Sequence, residues 1–270
     1  MRERLKQLTA VTALVLVAGG SLVACSDKGD SKADDVDGAA GGTLTQANFV
    51  DEVPQAMARA GTSHVKLSAN VGGQDVTSDG DIRIGQTPAH TALATTMQTG
   101  LGSIEMRLVD EIFYVNLGPM TRNKFTTLDL NDKSNPIIQQ FGELVGNFDP
   151  ASKIKQFEGA VSTFDQKGKA ITLDGVKAQP YVVVVDPSKM PDTEKAAGDA
   201  RPKTSEYTVY IGPDNLPRRL ISELPAAVGG TMTVDFSKWG EEVSISKPKA
   251  SEITDDDLLG QFSGATPEGS

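Results

Sequence analysis

The sequence predicts an α+β domain, a large antiparallel sheet with helices laid over one of its faces. Three observations carry this. From Ser63 onward, apolar and polar residues alternate with a period of two through segments joined by glycine-rich or acidic turns. The same pattern resumes at Ile171 and runs to Ile245. Between these stretches, residues 135–148 set Ile137, Ile138, Phe141, Leu144, Val145 and Phe148 on one wide helical face. A sheet with an apolar face needs a cover, and such a helix supplies one.

The N-terminal segment has another character. Arg2, Arg4 and Lys6 precede an apolar run from Leu8 to Leu22 that ends in small residues. That layout is a secretory signal peptide over residues 1–24, and the run is short for a spanning helix. It closes on Leu22-Val23-Ala24-Cys25, and Cys25 is the one cysteine of the chain. A small residue before a cysteine at this place resembles the lipobox of bacterial lipoproteins. The resemblance implies that the Cys25 thiol is alkylated with diacylglycerol and that cleavage makes Cys25 the new N-terminus. An ordinary signal peptide with a chance cysteine is the alternative. An unpaired cysteine in an exported chain calls for a reason, and lipidation gives one. Two acyl chains anchor stably where one binds marginally. The expected location is the extracytoplasmic face of the cell membrane.

Residues 26–44 are small, polar and charged. They read as a flexible tether behind Cys25, with an r.m.s. span of about 25 Å. The folded domain is expected over residues 45–263 and a disordered tail over 264–270. Thr45 is a candidate N-cap for a helix with Phe49, Val53, Ala56 and Ala60 on one face and Gly61 as its stop. Pro54 conflicts with that helix interior. Val65, Leu67, Ala69 and Val71 then alternate with polar residues, Gly72-Gly73 turns the chain, and Val76, Gly80, Ile82 and Ile84 alternate in their turn. His90 to Met97, Ile104 to Val109 and Ile112 to Leu117 continue the meander, with Gly100 to Gly102 and Asp110-Glu111 as turns.

After the 135–148 helix, Asp149-Pro150 is a cap with proline at the first helical position. A shorter helix with Ile154 and Phe157 follows. Ile171 to Leu173, Tyr181 to Val185, Glu206 to Ile211, Arg218 to Glu223, Thr231 to Phe236 and Val243 to Ile245 are strand candidates. Gly212 to Asn215 is turn material. Pro187 to Ala200 reads as loop or short helix, and a terminal helix would carry Ile253, Leu258 and Leu259.

The net charge is −10, and removal of the basic leader leaves the remainder more acidic. Phosphates and anionic headgroups repel such a body. No nucleic-acid partner is expected, and the domain should stand beside the membrane rather than spread on it. Chemistry-bearing residues are sparse. His64 and His90 are the only histidines, each in a strand pattern that suits a polar or edge role. Without a thiol in the body, Cys-His catalysis and a typical zinc site are poorly supported. There is no G-x-S-x-G elbow, and Gly100-Leu101-Gly102 lacks the rest of a dinucleotide fingerprint. Asp34 to Gly38 lies in the tether and lacks the glutamate of a calcium loop. Trp239 reads as a packing anchor ahead of a cavity-mouth residue. The expectation is a chain with no catalytic residue, metal or cofactor, and no enzymatic activity.

The second half carries a more specific pattern. Tyr181-Val182-Val183-Val184-Val185-Asp186 is followed by Glu206-Tyr207-Thr208-Val209-Tyr210-Ile211. Then come Asp214-Asn215-Leu216-Pro217-Arg218-Arg219-Leu220, Asp235-Phe236-Ser237-Lys238-Trp239-Gly240 and Pro248. With the lipobox, this resembles the LppX/LprG-type actinobacterial lipoproteins over roughly Thr45 to Pro248. The resemblance implies a fold like the LolA and LolB lipoprotein carriers, a curved antiparallel half-barrel whose concave face is covered by helices around an apolar cavity. It implies lipid or glycolipid acyl chains as ligand and movement of them across or within the cell envelope, with a membrane transporter as a candidate partner. The residues expected at the ligand are Val65, Leu67, Ile82 and Ile84 on strands, and Ile137, Phe141, Leu144, Val145 and Phe148 on the helix. Taken alone, strand faces of Val, Ile, Ala and Thr fit a cavity and a filled core of small aliphatics alike. The resemblance favours the cavity. The alternative function is a non-catalytic envelope sensor or interaction module on the same fold, which binds a protein partner.

Overall fold

The structure is a computed structural model that describes residues 44–85, 90–100, 102–132, 159–189, 205–224 and 229–254. Among these residues one α-helix, α1 (Phe49–Ala60), packs against a sheet of twelve strands. The first meander is β1 (Thr62–Val71), β2 (Gln74–Arg83), β3 (Ala92–Thr99), β4 (Gly102–Val109), β5 (Ile112–Asn116) and β6 (Thr126–Asp129). The second group is β7 (Val161–Gln166), β8 (Ile171–Leu173), β9 (Val176–Val185), β10 (Ser205–Ile211), β11 (Pro217–Glu223) and β12 (Thr231–Ser237). Across the sheet the order is β6-β5-β4-β3-β2-β1-β12-β11-β10-β9-β7, with β8 paired to the start of β9. The two groups join where β1 pairs antiparallel with β12, Val65 opposite Phe236 and Leu67 opposite Val234. The sheet stays open, with β6 and β7 at its edges.

α1 begins later than its expected cap. The Thr45 carbonyl accepts the Phe49 N–H at 3.0 Å and opens a turn. The Asn48 side chain, however, accepts from Thr45 behind it and leaves the N–H groups ahead uncapped. Pro54 does lie inside the helix, and its ring is fully buried, so packing offsets the donor it lacks. Gly61 ends α1 as expected, at φ 76°, with its N–H on the Met57 carbonyl at 3.0 Å.

Alternation assigns the faces. Leu67 and Ala69 of β1, Val76 and Ile82 of β2, Leu93 and Met97 of β3, and Met106 and Leu108 of β4 are buried on one side. Register carries that row through Phe236 and Val234 of β12, Leu220 of β11, Val209 of β10 and Tyr181 of β9. The other face is charged. Arg219 pairs with Asp235 across β11 and β12, and Lys66 with Asp79 across β1 and β2.

The apolar face is concave. An ideal Cβ built on Gly80 would lie 2.6 Å from the Thr95 Cβ and 2.3 Å from the Ala94 carbonyl oxygen. Facing Cβ atoms on neighbouring strands are ordinarily about 4.5–5.5 Å apart. Side chains converge this closely only inside a bend, so the sheet folds sharply between β2 and β3. Helix packing agrees. Val53 touches both the cluster around Ile82 and Leu108 and the cluster around Phe164 and Val183. Eleven strands laid flat would extend about 48 Å, against about 18 Å for a helix of this length. One helix reaches both ends because the sheet curls around it.

After β12 the chain departs from expectation. Val243 to Ile245 is not a strand. Residues 240–254 instead cross the convex face of the first meander as a strap. Gly240 donates to the Thr62 carbonyl at 3.0 Å, and the Thr62 hydroxyl to the Glu241 carbonyl at 2.7 Å. Arg83 and Arg107 side chains donate to the Val243 and Ser246 carbonyls, which a strand would have used for its ladder. Lys247 pairs with Asp110 at 2.9 Å. A short 3-10 turn at Ala250–Glu252 stands where the terminal helix was expected to begin, and Ile253 bridges in parallel to Phe125. Leu44, expected as the last residue of the tether, is instead buried in the cluster of Phe164 and Val183. Cys25, residues 26–43, the 135–148 segment with Ile137, Phe141, Leu144, Val145 and Phe148, and the tail after Thr254 lie outside the described residues.

Candidate functional site

The concave face is the candidate site, and α1 occupies only part of it. Ala56 and Met57 pack among Ile82, Ile84, Leu93, Leu108 and Leu216, with Val65 and Trp239 alongside. Val53 carries the contact to a second cluster of Val161, Phe164, Tyr181, Val183 and Ile211. There Phe49 stacks on Phe164 with ring centroids 4.3 Å apart, and Phe164 on Tyr181 at 4.8 Å. Burial raises the Tyr181 hydroxyl above its ordinary pKa, since the phenolate would lose hydration there.

Two further clusters on the same face include no residue of α1. One is Leu67, Ala69, Met232, Val234 and Phe236; the other is Val76, Met97, Met106 and Val115. Among the described residues their partly buried neighbours belong to the sheet and its flanks, such as Val71, Ile104, Leu117 and Leu224. These clusters are nevertheless buried, Met97 to 2% exposure. Small groups line the middle of the face. Ser63 and Gly80 contribute little volume, and the Ser78 and Thr95 hydroxyls are satisfied locally. Thr95 donates to the Asp79 carbonyl at 3.2 Å, so Ser78 donates to Thr95 at 2.6 Å. Both hydroxyls are therefore paired within the sheet.

Of the expected ligand residues, Leu67, Ile82 and Ile84 are buried on the concave face and Val65 is half-buried beside them. Ile82 and Ile84 meet α1 directly, Leu67 belongs to the α1-free part, and Val65 touches both. The expected set omits Leu93, Met97, Met106, Leu108, Val115, Met232, Val234 and Phe236, although the same alternation marks them. Phe164 has a weaker signal, because its strand carries a register shift between Val161 and Thr163.

His64 sits on the convex face, with Nδ1 2.7 Å from Asp81 and Nε2 3.2 Å from Asp79. It has the cross-strand polar role expected of it. Trp239 packs: its ring lies over Phe236 at 5.9 Å and its Nε1–H donates to the Pro217 carbonyl at 2.9 Å. Among the described residues no group of three or more His, Cys, Asp or Glu could hold a metal, and no helix is long and apolar enough to cross a membrane.

No protein-family model matches the chain, and no curated protein does. Solved structures do. The chain is similar to the crystal structure of the Mycobacterium tuberculosis lipoprotein LppX, at 15% identity and a TM-score of 0.49, over 73% of this chain and 98% of that one. It is also similar to LprF from Mycobacterium bovis, at 14% identity and a TM-score of 0.47, over 75% of this chain and 96% of that one. These two neighbours are of the LppX/LprG type that the second-half residues resemble.

Proposed function

We propose that the protein is a membrane-anchored, non-catalytic carrier that holds the acyl chains of a lipid or glycolipid on its concave face. The observation that supports this most is the extent of that face. Apolar clusters recur along the whole curled sheet, yet among the described residues α1 contributes to only two of the four. The apolar helical pattern of Ile137, Phe141, Leu144, Val145 and Phe148 supplies a cover for the remainder, with an acyl chain between helix and sheet. Cys25 carries the anchor at the extracytoplasmic face, and the tether lets the body reach lipid headgroups and a membrane transporter alike.

The energetics suit exchange rather than permanent capture. Burial of a methylene is worth about 0.8 kcal/mol, so a sixteen-carbon chain gains on the order of 10 kcal/mol before entropy losses. A bilayer offers the same chain a comparable gain, and transfer between the two needs no covalent step. Native mass spectrometry of non-acylated protein from a lipid-containing host should show bound lipid, and delipidated protein should take lipid up from vesicles. Protein that is always apo and never loads would overturn the proposal in favour of an interaction module.

A further inference from the structure

A buried cation lies beside Leu216 of the cluster that packs on α1. Tyr210 faces Arg219 and Ile211 faces Pro217, so Arg218 is the extra residue of a bulge in β11. Bulges re-aim side chains and recur beside functional sites. Arg219 points to the convex face, where it pairs with Asp235. Arg218 turns the other way and is 4% exposed. Its Nη2 donates to the Asp214 carboxylate at 2.7 Å and its Nη1 to the Leu216 carbonyl at 3.3 Å. Its Nε–H is fully buried and has no partner.

An unpaired buried donor is unfavourable by about 1–3 kcal/mol. A buried water there would need two to four polar partners of its own. The Asn215 amide donates to Glu52 and the Trp239 N–H to Pro217. Asp214 is half exposed, so water screens its hold on the guanidinium while Nε stays on the dry side. A donor on a cation makes its strongest bond to an anionic oxygen.

We propose that the Arg218 Nε–H receives an anionic oxygen of the ligand, a phosphate or a carboxylate at the head of an acyl chain on the concave face. This rests on the lipid-binding reading above. Non-acylated protein stripped of lipid is titrated with two pairs that share acyl chains, palmitate against hexadecanol and dipalmitoyl phosphatidate against dipalmitoylglycerol. The expected result is about tenfold tighter binding of the anionic member in at least one pair, and the pair that responds tells carboxylate from phosphate. Arg218→Lys keeps a charge for Asp214 but lacks Nε–H. It should lose that preference while binding the neutral lipids as before, with Arg218→Gln as the second variant and thermal melts confirming that both fold. In the parent, the Nε–H resonance of Arg218 should move downfield on loading, which needs no variant. Equal binding of both members of each pair by the parent, or an unchanged preference in Arg218→Lys, overturns the proposal and leaves the carrier intact. Failure to bind any of the four lipids overturns the carrier reading and this proposal with it.

Discussion

At Gly80 the absence of one side chain decides how far the sheet can bend. Its missing Cβ would meet the Ala94 carbonyl oxygen at 2.3 Å, a backbone atom that cannot swing aside. Gly80→Val forces β2 away from β3 and flattens the fold line. Overpacking usually costs about 1–3 kcal/mol, and a backbone clash belongs at the upper end. Urea denaturation of the variant should show that loss, and a parent-like midpoint would mean the strands do not converge there. A second residue acts through charge. Asp186 follows β9, and its carboxylate accepts the Ser188 hydroxyl at 2.6 Å and the Ser188 N–H at 3.0 Å. Those bonds, helped by Lys189 nearby, hold its pKa below the ordinary value. A depressed carboxylate stabilises the fold above the unfolded-state pKa, and that contribution fades as pH falls through the folded value. Asp186→Asn should therefore melt below the parent at pH 7, and the gap should close as pH drops below the carboxylate range near about 3.9. A gap that is constant with pH would show that ionisation plays no part.

Among the elements, β7 depends most on a contact outside the sheet. It is an edge strand paired to β9 alone among the described strands. The stack of Phe49, Phe164 and Tyr181 fastens it to α1 and to β9 at once. Phe164→Ala should cost about 3 kcal/mol or more in urea unfolding, while Phe164→Leu should cost under about 1.5 kcal/mol. Equal losses would mean that bulk matters little there. This strand also shows where sequence reading stops. β1, β2, β4 and β5 were legible because two-residue alternation ran unbroken between glycine or acidic turns, as at Asp110 and Glu111, both in the left-handed region that a tight hairpin requires. β7 shifts register after Val161, which breaks the period. β6 has only four residues, too few for a period to stand out. The strap is illegible for another reason. Val243 and Ile245 look like strand residues, and only the positions of Arg83 and Arg107 across the meander decide that their segment is held by side chains.

For the whole molecule, alternation identifies which face is apolar but not how it bends. Curvature depends on close approaches between neighbouring strands, as of Gly80 to Ala94 and Thr95, a relation that local pattern does not contain. For the same reason residue pattern left a cavity and a filled core equally open, and resemblance alone favoured the cavity. The candidate ligand residues of the sheet were legible as a face, since Val65, Leu67, Ile82 and Ile84 share it. Which of them α1 covers depends on that helix's path across the curl. The acidity of the body also matters at this scale. A net charge of −10 repels anionic headgroups, and among the described residues no helix can span a bilayer. On the proposed reading the attachment is made by the acyl chains on Cys25, each methylene contributing about 0.8 kcal/mol. Expressed with its leader, Cys25→Ala should move from the membrane to the soluble fraction, and high salt should not alter its distribution. Retention of the cleaved variant at the membrane would show that something other than lipid on Cys25 is the anchor.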